Sequence, residues 1–190
     1  NITPVQTKDW SWTVGLNSSR NWNTANDVDS GLKQVYDFIH GASGRILKQG
    51  YPLSGFWSYS FKGLNDETGY PEFNLDCGET DDPTDFLVYS GQREASFTGG
   101  LTTRLRWKQF TYSADFSALL GAKKRLPNPF SSLERLPSPY SNMDRELLDR
   151  WTKPGDNTTI PAFYHGGTSS YIYLPNGDSG SMYDMWGNSD

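Results

Sequence analysis

The sequence predicts a mainly β fold of antiparallel strands, with long loop regions that carry one or two short helices. Two observations lead to this prediction. Residues 97–120 have the pattern of one long hairpin, and residues 8–17 repeat the start of one of its strands. The composition agrees, because 19 glycines, 11 prolines and an aromatic content of 15% suit strands with long ordered loops rather than helices.

The hairpin pattern depends on a turn at Lys108 and Gln109. The facing pairs on one side are then Trp107 with Phe110, Leu105 with Tyr112, Thr103 with Ala114, Leu101 with Phe116 and Phe97 with Leu120. Side chains alternate between the two faces of a strand, so these pairs share one largely apolar face. The charged residues Arg104, Arg106 and Asp115 fall on the opposite face, which is polar.

The length of these two strands favours a membrane. Each has about eleven residues, whereas an ordinary strand has about five or six and a tilted membrane strand needs roughly 9–11. Trp107 and Phe110 would form an aromatic girdle at the turn, and Arg104, Arg106 and Asp115 would face the lumen. The pattern therefore predicts antiparallel strands of a transmembrane β-barrel. A hairpin of a soluble β-sandwich also alternates in this way, so that alternative stays open.

Residues 8–17 predict a third long strand of the same design. Trp10, Trp12, Val14 and Leu16 share one face. The segment opens on two polar residues followed by an aromatic, a small hydroxyl and a second aromatic residue, and residues 108–112 repeat that order. A repeated turn with its aromatic girdle is expected of a meander barrel, which has short turns on one side of the membrane.

Residues 18–95 and 121–190 are then two long excursions on the other side, which we interpret as extracellular loop regions. Loops of that length without any structure are improbable, so they should contain elements of their own. The expected elements are a helix over residues 29–40, strands over 45–49 and 56–61, a turn over 65–69, a short helix over 143–152 and a strand over 170–174.

The sequence predicts no catalytic site, cofactor or metal. The net charge of −5 and the unclustered basic residues argue against nucleic acid as a partner. Five carboxylates lie within residues 76–85, where a calcium site is conceivable, but their spacing matches no EF-hand and a solvated acidic loop is the simpler interpretation. The sequence has two histidines but no G-x-S-x-G nucleophile elbow, so it does not indicate a catalytic triad.

Two aromatic residues are candidates for substrate binding. Trp57 and Tyr59 share one face of the strand predicted over residues 56–61, near the extracellular side. Their rings could stack on the apolar faces of a sugar. The alternative interpretation is that they pack the core of the loop regions.

Four segments, taken in order, resemble SusC-like TonB-dependent transporters, the RagA/SusC family. They are the strand start Thr7-Lys8-Asp9-Trp10-Ser11-Trp12; Gly50-Tyr51-Pro52 with FWSYSFKGLNDETGYPEF (residues 56–73); GGLTTRLRWKQFTYSADFSALLGAKK (residues 99–124); and Arg150-Trp151-Thr152-Lys153-Pro154-Gly155-Asp156 with Ile160-Pro161. Together they span most of the chain.

The resemblance implies a large barrel, plugged by an N-terminal domain, in the outer membrane of a Gram-negative bacterium. Such transporters import glycans or peptides, are driven by the TonB complex and carry a SusD-like lipoprotein over the extracellular mouth. The chain would come from the C-terminal half of the barrel, and no plug domain or TonB box is recognised in it. We therefore expect a non-enzymatic piece of a longer transporter.

Two alternatives belong to other classes of protein. One is a secreted β-sandwich module that binds carbohydrate, in which the hairpin of residues 97–120 would form the core. The other is a glycoside hydrolase domain, which would need two carboxylates placed across a cleft.

Overall fold

The computed structural model describes residues 1–26, 28, 34–40, 47–76, 78, 82, 84–130, 140, 142–164, 166, 170–175 and 177–190. Its elements, in chain order, are β1 (Ile2–Gln6), β2 (Trp10–Arg20), α1 (Val35–His40), β3 (Gly55–Leu64), β4 (Pro71–Asn74), β5 (Leu87–Gln92), β6 (Phe97–Trp107), β7 (Phe110–Leu120), a 3₁₀ helix (Arg145–Asp149), β8 (Tyr171–Tyr173), β9 (Ser179–Ser181) and α2 (Met182–Gly187). Within these ranges no helix has both the length and the apolar content that a bilayer crossing requires.

The predicted mainly β, antiparallel fold is confirmed. Its largest sheet has the strand order β1-β2-β6-β7 and is here called the long sheet. β6 and β7 pair in the register expected from the sequence, from Phe97 opposite Leu120 to Trp107 opposite Phe110. β2 pairs antiparallel with β6. It runs over Trp10–Arg20 rather than residues 8–17, because Lys8 and Asp9 belong to the turn that follows β1. β1 itself was not predicted.

One face of the long sheet is apolar and open. Leu16, Leu101 and Phe116 share this face and are 78, 38 and 59% exposed. At the turn end, Trp107 lies between two other rings, with centroid distances of 5.6 Å to Trp10 and 6.2 Å to Phe110. Large exposed apolar patches mark surfaces that contact a protein or a membrane. A sandwich built around this hairpin would instead bury the face.

The hydrophobic core lies outside the long sheet, in what we call the loop body. The loop body contains the three-stranded sheet β4-β3-β5, the hairpin β8-β9 and the three helices. Its first core cluster consists of Val35, Phe38, Ile39, Trp57, Tyr59, Phe86, Leu87, Leu174 and Met185. Its second consists of Tyr70, Phe130, Leu147, Met182 and Tyr183. Residues 18–95 and 121–190 contribute to both clusters, so the two excursions fold together.

Two element predictions need correction. The strand expected over residues 45–49 is absent at residues 47–49, which form a coil and a turn, and residues 45 and 46 lie outside the described residues. The helix expected over residues 143–152 is a 3₁₀ helix of five residues. It is capped by Asp144, whose side chain accepts a hydrogen bond from the Glu146 amide.

The remaining predicted elements are present with different limits. Of the helix expected over residues 29–40, the structure describes residues 34–40, and α1 occupies all of these except residue 34. Residues 29–33 lie outside the described residues. The strands expected over residues 56–61 and 170–174 correspond to β3 and β8. The turn at residues 65–69 is closed by Asn65, whose side-chain oxygen accepts hydrogen bonds from the amides of Glu67 and Thr68, both at 3.0 Å.

Candidate functional site

A cation-lined cavity lies where the loop body meets the long sheet, and we call it the junction groove. Its volume is about 600 Å³, and it is lined by Phe56, Arg93, Ala122, Lys123, Lys124 and Arg125. A second cavity of about 380 Å³ shares Arg93 and Ala122 with it and reaches Ser19, Thr98 and Leu119. These last three residues are register neighbours on the polar face of the long sheet. The groove is therefore continuous with that face.

Backbone hydrogen bonds hold the two sides of the groove together. The segment after β7 pairs with the end of β5, because the Lys123 amide donates to the Gln92 carbonyl oxygen at 2.7 Å. The neighbouring Arg93 amide donates to the Ser54 carbonyl oxygen at 3.0 Å. The stem of Lys123 packs beside Gly91, where a β-carbon would come within 2.8 Å of its Cγ. Arg93 and Lys123 are thereby fixed side by side on the rim.

Arg125 reaches from the groove into the loop body. One terminal nitrogen donates to the Ile39 carbonyl oxygen at 3.0 Å, and the other donates to the carbonyl oxygens of Trp57 and Asn188. Its buried Nε has no hydrogen-bond partner. Burial, and after it the charge of Arg93, lowers the pKa of the Arg125 guanidinium. Arg125 thus joins α1, β3 and the C-terminal residues while it adds positive charge to the groove.

Phe56 forms the floor of the groove beneath two guanidinium groups. The guanidinium carbon lies 4.6 Å from the ring centroid for Arg125 and 5.7 Å for Arg93, both within cation–π range. The ring is only 8% exposed. It therefore offers little open surface on which a ligand could stack.

The two aromatic residues proposed from the sequence to bind substrate lie in the core. Trp57 is 2% exposed and Tyr59 is 5% exposed. Trp57 packs edge-on against Phe38 and Tyr51, at centroid distances of 5.7 and 4.8 Å. The structure therefore places both rings where the alternative interpretation, core packing, expects them. A role in substrate binding stays a prediction for both residues.

Burial of Tyr59 makes the loop body sensitive to high pH. Burial, followed by the nearby charge of Asp184, raises the pKa of Tyr59 from 10.0 to about 12. An unfolded chain would lose this proton near pH 10, so between these values the folded state binds more protons and its stability falls as pH rises. The stabilisation is complete below pH 10 and is lost as pH rises through about 12.

We therefore expect Tyr59→Phe to remove part of the alkaline loss of stability. The measurement is near-ultraviolet circular dichroism across the alkaline range. Tyr173→Phe is the matched control, because that ring is 78% exposed. If both variants keep the wild-type alkaline midpoint, Tyr59 does not contribute to it.

The polar residues predicted to face a lumen share one face of the long sheet. Arg104 pairs with Ser113, Arg106 with Thr111, and Asp115 with Thr102. Asp115 is therefore diagonal to Arg104. All three charged side chains are exposed. That this face lines a lumen stays a prediction.

The described residues contain no cluster of three or more His, Cys, Asp or Glu side chains able to hold a metal ion. In the acidic stretch, Asp82 caps the local turn, since its side chain accepts hydrogen bonds from the Thr84 amide and hydroxyl at 2.9 and 2.6 Å. Lys48 approaches Asp85 at 2.5 Å. Residues 77, 79–81 and 83 lie outside the described residues.

No protein-family profile matches the chain. A curated protein, TonB-dependent receptor P3 of Formosa agariphila, is 26% identical over 180 residues, which cover 85% of this chain and 18% of that protein. By sequence, this chain is similar to a TonB-dependent receptor.

Two solved structures have the same fold. The RagAB peptide transporter matches 87% of the chain with a TM-score of 0.63 and 21% identity. The RagAB peptide importer in its closed-closed state matches 85% with a TM-score of 0.62 and 23% identity. The chain spans about a fifth of the length of these relatives, 18 to 19%. The recognised relatives are transporters and not enzymes.

The sequence did not predict the junction groove. A signal was present, because Lys123, Lys124 and Arg125 follow one another directly after β7. Arg93 lies about thirty residues earlier, and only the pairing of the segment after β7 with β5 brings it beside them.

Proposed function

We propose that this chain is part of an outer-membrane TonB-dependent transporter that imports glycans or other oligomeric nutrients. The observation that carries the proposal is the open apolar face of the long sheet, on strands of eleven residues with aromatic rings at the turn end. Strands of this length can cross a bilayer when tilted. The similarity to the TonB-dependent receptor of Formosa agariphila supports the same conclusion.

In this proposal β2, β6 and β7 belong to a partial barrel that the rest of a longer protein completes. Residues 18–95 and 121–190 are the extracellular loop regions, and Arg104, Arg106 and Asp115 face the lumen. The family resemblance adds a SusD-like lipoprotein over the loop body, and the TonB complex acting through a part of the protein outside this chain. The chain is a structural part of the import path and has no catalytic role.

The test places one arginine on each face of β6 in the full-length protein. Leu101→Arg puts a charge on the apolar face, which costs roughly 2–4 kcal/mol near mid-bilayer. We expect it to reduce the amount of folded protein in outer-membrane fractions several-fold. Thr102→Arg is the matched control, because the neighbouring side chain lies on the polar face.

Equal recovery of the two variants would contradict the membrane assignment. A wild-type protein recovered from the culture medium rather than from outer-membrane fractions would also contradict it, and would favour a secreted carbohydrate-binding module. If the assembly test succeeds, TonB-dependent uptake is measured next in cells with and without energised TonB.

A further inference from the structure

The junction groove is positively charged within an acidic chain. The chain carries a net charge of −5, yet four of the six residues lining the groove are basic: Arg93, Lys123, Lys124 and Arg125. None of the six is a carboxylate, and the two cavities that share residues with the groove add three carboxylates against its four cations, Glu94, Glu146 and Asp190. Concave sites lined by one sign of charge concentrate ligands of the opposite sign. The groove therefore favours an anion.

The side chains of the groove also restrict the kind of anion. Lysine and arginine donate hydrogen bonds and accept none, so the basic side chains of the groove can satisfy acceptors only. Sugar hydroxyls need donors and acceptors together, and the one aromatic ring of the groove, Phe56, is buried beneath two guanidinium groups. A carboxylate needs only donors, and charged donors bind it most strongly. The groove thus suits carboxylates better than sugar rings.

The position of the groove places it beside the predicted import path. The adjoining cavity links Arg93 and Ala122 to Ser19 and Thr98 on the polar face of the long sheet. Arg104 and Arg106 lie farther along the same face of β6. A ligand moving along this face would meet the groove where the loop body begins.

We propose that the junction groove binds carboxylate groups of an acidic oligopeptide. This inference rests on the proposed transport function and narrows its substrate class. Lys123 and Lys124 are the exposed donors, and Arg93 lies beside Lys123 on the rim. Arg125 contributes charge from below, because its terminal nitrogens already donate to backbone carbonyl oxygens. An extended peptide with repeated carboxylates can contact several of these cations at once.

The test measures peptide binding by the purified full-length protein in detergent. The probes are a fluorescent peptide of alternating alanine and glutamate, the same peptide with glutamine, and oligogalacturonate as an anionic glycan. We expect the glutamate peptide to bind about tenfold more tightly than the glutamine peptide, because several charge contacts add. This preference should weaken as the salt concentration rises.

The variants test whether the groove causes this preference. Lys123→Gln with Lys124→Gln should bring the affinities for the two peptides within about twofold of each other, because it removes the two exposed cations that would pair with the carboxylates. Lys8→Gln with Lys153→Gln is the matched control, because both lysines are exposed and lie outside the groove. The control should keep the wild-type preference.

Three outcomes would overturn the inference. Equal affinity of the wild type for the two peptides would show that carboxylates are not recognised. A preference that survives the groove variant would locate recognition elsewhere. Tight binding of oligogalacturonate, lost in the groove variant while the glutamate peptide binds weakly, would assign the groove to an anionic glycan. The outer-membrane assembly test does not depend on any of these results, so it judges the transport proposal separately.

Discussion

Alanine in place of Gly69 is expected to destabilise the loop body by about 4 kcal/mol, since two separate costs add at this position. The first is backbone strain. Gly69 has a φ of +69°, a left-handed conformation that costs other residues roughly 1–2 kcal/mol. The second is a steric clash, because the new β-carbon would overlap the indole ring of Trp151.

The indole ring has little room to move away from such a β-carbon. Trp151 is 9% exposed, and its amide donates to the Ile160 carbonyl oxygen at 2.9 Å. Gly69 is itself held by Ala162, whose amide donates to the Gly69 carbonyl oxygen at 3.0 Å. The 65–69 turn and the region after the 3₁₀ helix are hydrogen-bonded to each other. The substitution therefore forces these two segments apart.

The measurement is hydrogen exchange of backbone amides in β3 and β4, in the full-length protein held in detergent. A loss of about 4 kcal/mol would speed exchange through local opening by roughly a thousandfold. Gly155→Ala is the control, because Gly155 also has a positive φ, +89°, but has open space around its β-carbon position. If both variants speed exchange equally, the contact with Trp151 contributes nothing.

Methionine in place of Arg125 is expected to destabilise the loop body by about 3–5 kcal/mol, because several buried acceptors lose their donor. The guanidinium of Arg125 donates to carbonyl oxygens of Ile39, Trp57 and Asn188, which belong to α1, β3 and the C-terminal residues. Methionine replaces the apolar stem of arginine but has no hydrogen-bond donors. The change therefore removes hydrogen bonds while it keeps most of the apolar stem.

Hydrogen exchange in β3 and α1 measures this effect in the same preparation. Lys124→Met is the matched control, since the adjacent lysine is exposed and should leave exchange within about threefold of the wild type. A wild-type exchange rate in Arg125→Met would mean that the three carbonyl groups find other donors. That result would also mean that Arg125 is not needed to hold residues 18–95 and 121–190 together.

Much of the fold could be predicted because strand pairing follows a short repeat. The predicted register of β6 and β7 agrees with the structure in every facing pair. The register could be predicted because a one-residue shift would exchange the apolar and polar faces. The turn at residues 65–69 was predicted for a similar local reason, because Asn65 bonds to the backbone two and three residues ahead. These features depend on neighbours in sequence or on a fixed alternation.

Other elements could not be predicted from such local signals. β4 and β9 have only four and three residues, too few for a period to be recognised. α2 has six residues, fewer than two helical turns, so it is also too short for a helical period to be recognised. These short elements are stabilised by the loop body around them rather than by their own propensity.

The sequence by itself determined the long antiparallel strands, the separation of apolar and polar residues on them, and the resemblance to SusC-like transporters. The tertiary structure alone decided that Trp57 and Tyr59 belong to the core and that Arg93 joins Lys123, Lys124 and Arg125 in one groove. The physical reason is the range of the interactions. Strand alternation depends on residues that are neighbours in sequence. A cavity between β5 and the segment after β7 exists only once both excursions have packed together.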